Sequence, residues 1–64
     1  MKKSLEECRA KIEHEAQYVD IKPYSHNIIS LVLGQIAQEY GKAEANKAIE
    51  DFDLESLGWR KEDA

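Results

Sequence analysis

The 64-residue chain has a single cysteine, Cys8, so no disulfide can form within it. A domain this short buries only about 60% of the surface its unfolded chain exposes. Chains of this size draw added stability from disulfides, a metal or a second copy of themselves, and the first of these is excluded here. One thiol also suits a reducing compartment. Cys8 falls on an apolar helical stripe, which reads as a buried core position rather than a reactive group. Long apolar runs are missing as well: the longest, Leu31-Val32-Leu33, is far short of the roughly 20 residues that span a bilayer. The opening Met1-Lys2-Lys3-Ser4-Leu5-Glu6-Glu7 turns acidic at once, without the apolar stretch of a signal peptide. The expected location is cytoplasmic, with no membrane contact.

A basic excess is lacking too. Thirteen acidic residues against nine basic ones give a net charge of -4, a field that repels nucleic-acid phosphates unless the bases are gathered on one face. Proline occurs once and glycine three times, so few positions interrupt regular structure. No internal repeat, low-complexity tract or second domain is visible. Residues 1–64 read as one domain, with 1–3 and 60–64 as flexible ends.

What is present is helical periodicity. Ser4 followed by Glu7 forms a capping box, and Leu5, Cys8, Ile12, Ala16 and Val19 recur at spacings of three and four. At about 100° per residue they occupy an arc of roughly 80°. Glu7 and Lys11 add an ion pair one turn apart. These features predict a first helix from Leu5 to Tyr18, ended by Pro23, with 19–24 extended or turn-like. Ser25 is then expected to cap a second helix, His26 to Tyr40, with Gly41 as its left-handed stop. In that helix Ile28, Ile29, Val32, Leu33, Ile36, Ala37 and Tyr40 cover an arc of about 180°, and Leu31 lies outside even that. So broad an apolar surface calls for cover from more than one side. Gly34, mid-helix, costs about 1 kcal/mol relative to alanine, and the reading preferred is that another backbone comes close there. A third helix, Lys42 to Asp51, carries Ala45, Ala48, Ile49 and Phe52 on one side. Asp53 is expected to cap a last turn, Leu54 to Leu57, closed by Gly58, with Trp59 folding back as an apolar lid and 60–64 as a solvated tail.

Several chemistries compete with plainer explanations. Ala37 and Gly41 have the spacing of a helix-turn-helix corner, but the later core position of that motif falls on Lys47, and Glu44, Glu50 and Asp51 dilute the donors that DNA reading needs. Asp51, Asp53, Glu55 and Glu62 imitate the first, third, fifth and twelfth positions of a calcium loop, yet Ser56 stands where the turn requires glycine. Cys8, His14 and His26 could supply soft ligands, but Cys8 and His14 are six apart and turned away from one helical face, so no transition-metal site is expected. Ser25-His26 are neighbours whose side chains diverge on a helix, and three short helices leave little room for a catalytic pocket. Tyr18, Tyr24 and Trp59 have the character of interface aromatics and equally of core cover.

The expected fold is therefore all-α: a small three-helix bundle, helix one plus an αα-hairpin, with a short C-terminal helical turn, sharing a core around Ile36 and associating as a homodimer. The expected function is that of an acidic accessory or regulatory interaction protein without catalytic activity, cofactor or metal. Tyr24, His26, Asn27 and Trp59 are the expected partner-binding residues, and Ile28, Leu31, Val32 and Gln35 the expected dimer interface. The alternatives are a dimeric helix-turn-helix-like DNA-binding regulator, disfavoured by charge, and a purely structural dimer.

Overall fold

The computed structural model describes residues 4–61. Its elements are α1 (Leu5–Ala16), α2 (Ser25–Tyr40), α3 (Lys42–Asp51) and a closing 3₁₀ turn (Leu54–Leu57), with no strand among the described residues. Both α1 and α3 pack on α2. One core of Cys8 and Ile12 from α1, Ile29, Val32, Leu33 and Ile36 from α2, and residues of α3 and the last turn joins them all. The outline is a slab of 29 × 28 × 16 Å. Helices one and three thus flank the middle helix without enclosing it.

Ser4 has the extended backbone of an N-cap, and its Oγ accepts from the amide of Glu7 at 3.2 Å. Lys11 lies 3.7 Å from Glu15, one turn beyond itself. The first helix stops at Ala16, two residues short of the expected Tyr18 and well before Pro23. The Tyr18 amide donates to the Glu15 carbonyl at 3.0 Å, and the Tyr18 carbonyl then accepts from Ile21 (2.9 Å) and Lys22 (2.7 Å). The Tyr18–Glu15 and Ile21–Tyr18 bonds are three-residue closures, which tighten a helix end into a turn, and they finish the helix before proline can.

The start of α2 corrects a second expectation. The helix begins at Ser25 itself, Tyr24 is its N-cap residue, and no side chain caps it. Ser25 is fully buried, and its hydroxyl points to Glu15 rather than to the helix amides. At the far end Gly41 alone separates α2 from α3. Its amide donates to Ala37 at 3.1 Å and its carbonyl accepts from Ala45 at 3.3 Å, so one residue finishes one helix and starts the next. Its φ of 99° with ψ of 158° is not the left-handed helical stop expected, but an extended positive-φ form open essentially to glycine alone.

Gly34 is also corrected. Nothing lies within 4 Å of where its Cβ would stand, so no close backbone requires a glycine there. Asp53 is in the left-handed region at φ 52° and its side chain caps nothing; its carbonyl accepts from the Ser56 hydroxyl at 2.8 Å instead. Leu54 is fully buried, and Phe52, Leu57 and Trp59 pack against the core from outside. Lys61, in the stretch expected as a loose tail, reaches Glu50 at 3.2 Å and Glu55 at 3.7 Å. The remainder of the expected flexible ends, 1–3 and 62–64, lies outside the described residues. Arg9 pairs with Asp51 and stands 5.0 Å over the Phe52 ring, which ties α1 to the end of α3.

Candidate interaction surface

A buried polar contact joins the start of α2 to α1. Ser25 donates to Glu15 Oε1 at 3.0 Å, with both residues shut off from solvent. Lys11 Nζ and His14 Nε2 each lie 3.7 Å from Glu15 Oε2. The hydrogen bond from Ser25 is the main cause holding the Glu15 carboxyl below its ordinary range; burial pushes the other way, and the charge of Lys11 assists the hydrogen bond. Sequence reading missed this pair by assigning Ser25 to a cap. A signal was there: Glu15 follows Cys8 and Ile12 at spacings of four and three, which places a carboxylate at the edge of the buried stripe.

From that anchor α2 runs across the slab with an outer face of unusual character. Eight of its sixteen residues are exposed, and of those eight Glu39 is the one charged residue. In α1, by contrast, six of twelve residues are charged. Within this face Tyr24 is 72% exposed and Leu31 68%, and half-buried Ile28 lies between them at helical spacing. Tyr24, Ile28 and Leu31 therefore form an apolar stripe, i, i+4, i+7, continued by the exposed amide of Gln35. Val32, expected in the same interface, sits in the chain's own core at 7% exposure. A position roughly 100° of helical turn from Leu31 faces the flanking helices instead.

The four residues expected to form one partner patch are divided by the helix. His26 stacks on Trp59 with ring centroids 4.2 Å apart, and Trp59 Nε1 donates to Ser30 Oγ at 3.1 Å. Trp59 does fold back over the core. Tyr24 belongs with Leu31 by helical phase, roughly 160° away from His26, and Asn27 is exposed between the two sides. Tyr18 takes part in neither; its ring meets His14 at 5.2 Å and Lys22 Nζ at 4.4 Å.

On the His26 side, α2, α3 and Trp59 enclose a half-open cleft of about 220 Å³, floored by Leu33, Ala45 and Ile49 and bordered by Gly34. Of the calcium-like positions, Asp51 is held by Arg9, Asp53 sits at a backbone turn, Glu55 faces Lys61, and Glu62 lies outside the described residues. Among the described residues no group of three or more His, Cys, Asp or Glu side chains could hold a metal ion, and no helix is long and apolar enough to cross a membrane.

Comparison of the chain with protein-family models, with characterised proteins and with solved structures gives no match, so its functional reading rests on this surface.

Proposed function

We propose that the protein is a non-catalytic helical interaction module that self-associates as a homodimer through the outer face of α2 and presents its acidic surface to a protein partner. The observation that supports this most is the near absence of charge on that exposed face, in a chain of which 34% is charged. Interface centres are depleted of charge and enriched in aromatic residues, and Tyr24 with Leu31 fits that description. A two-fold pairing uses one patch twice, so a single stripe covers itself. The exposed carboxylates of Glu6, Glu7 and Glu13 on α1 stay outside the pairing. They suit a basic partner, whose approach complementary charge would speed.

Sedimentation of the wild type and of Leu31→Glu tests the reading. The expected result is a concentration-dependent dimer for the wild type and a monomer with unchanged helical signal for the variant. A wild type that stays single-copy at the highest concentration reached refutes the self-association. The competing reading, DNA binding through the corner at Gly41, has mixed charge against it: Lys42 and Lys47 share α3 with Glu50 and Asp51. Salt-dependent binding of duplex DNA would favour it over the protein-binding reading.

A further inference from the structure

We propose that the cleft between α2, α3 and Trp59 binds a small amphipathic monocarboxylate, an acid carrying one aromatic ring or a short branched alkyl group. This site shares no residue with the Tyr24–Leu31 stripe and is independent of it.

Three features specify the ligand. The first is size: about 220 Å³ falls below the roughly 300 Å³ at which pockets for drug-sized ligands begin, which restricts the occupant to a single ring or its equivalent. The second is an apolar interior. Leu33, Ala45 and Ile49 supply a floor continuous with the core. Trp59 supplies an aromatic wall whose orientation is held by the Ser30 hydrogen bond and the His26 stack. Gly34 lines the same cleft, and with nothing within 4 Å of its missing Cβ its effect is to leave volume open. The third is charge. Among the described residues the cleft is lined by Lys42 and Arg60 and by no acidic side chain. Lys42 is also the first residue of α3, whose N-terminus has no side-chain cap, so the positive end of the helix dipole adds to the two cations. An apolar body placed over Gly34 with a carboxylate toward Lys42 and Arg60 satisfies all three.

Trp59 is the only tryptophan and serves as the reporter. Its emission is titrated with 3-phenylpropionate, with 3-phenylpropanamide and 3-phenylpropylamine as neutral and cationic controls. The expected result is a saturable change with the acid and binding weaker by about tenfold or more for both controls, the usual scale of a charge-assisted contact. Gly34→Leu fills the cleft and is expected to abolish binding while helical signal and melting are retained. The double variant Lys42→Gln, Arg60→Gln, altered only at exposed positions, is expected to bind the acid about tenfold more weakly. No saturable change with the acid, equal binding of acid and amide, or wild-type affinity in a folded Gly34→Leu protein would each overturn the proposal.

Discussion

Ser25, the first residue of α2, gives its hydroxyl hydrogen bond to Glu15 of α1 across 3.0 Å, and the two side chains are 0% and 5% exposed as residues. A buried carboxylate is tolerated only when its lone pairs are met. Here the Ser25 hydroxyl donates to one oxygen, and Lys11 and His14 stand 3.7 Å from the other. The contact spans the turn that Pro23 occupies and orients the two helices on one another.

Ser25→Ala removes the donor and leaves the acceptor buried. The expected cost is about 1–3 kcal/mol, read as a lower urea midpoint with an unchanged slope. In a double-mutant cycle, Ser25→Ala and Glu15→Ala should be non-additive, because each removes one partner of the same contact. Additive losses would show that the two side chains do not stabilise the fold through one another.

Acid should weaken the fold through Glu15. Its pKa is lowered in the folded state, chiefly by the Ser25 hydrogen bond. Its stabilising contribution is then complete above the unfolded-state value and is lost as pH falls through the lower folded value. Stability measured from neutral pH downward should decline through the carboxylate range in the wild type. Glu15→Gln should start less stable and decline less steeply. Parallel curves for the two proteins would show that Glu15 is not the group concerned.

The two glycines flanking the C-terminal half of α2 should respond in opposite directions. Gly34→Ala meets open space and gains helix propensity, raising stability by about 0.5–1 kcal/mol. Gly41→Ala forces a side chain into a φ of 99° and should cost about 1–3 kcal/mol. Thermal melts of both variants check the pair, and a shift of the same sign in each contradicts the backbone assignment.

Ile36 and Leu31 lie on the same helix and should behave differently. Ile36 is fully buried and Leu31 is 68% exposed. Ile36→Asp places an unpaired charge in the core and should unfold the protein. Leu31→Glu should leave monomer stability within about 0.5 kcal/mol of wild type. Circular dichroism on heating separates the two outcomes.

Much of this molecule could be read from residue order. Ser4 before Glu7, the spacing of Cys8 and Ile12, the arc around Ile36 and the isolated Gly41 all act over one or two turns of chain, and local periodicity encodes such contacts directly. Three helices, their shared core and the exposure of Leu31 follow from them. What the tertiary structure decided depends on residues brought together from distant parts of the chain. The partner of Ser25 is ten residues away, that of Trp59 twenty-nine, and that of Arg9 forty-two. No periodic pattern specifies those pairings. They determine that Ser25 is a latch and not a cap, that Trp59 stacks on His26, and that Gly34 opens onto a cleft. The reason is physical: helix formation depends on neighbours in sequence, whereas the placement of buried polar groups depends on which helices meet.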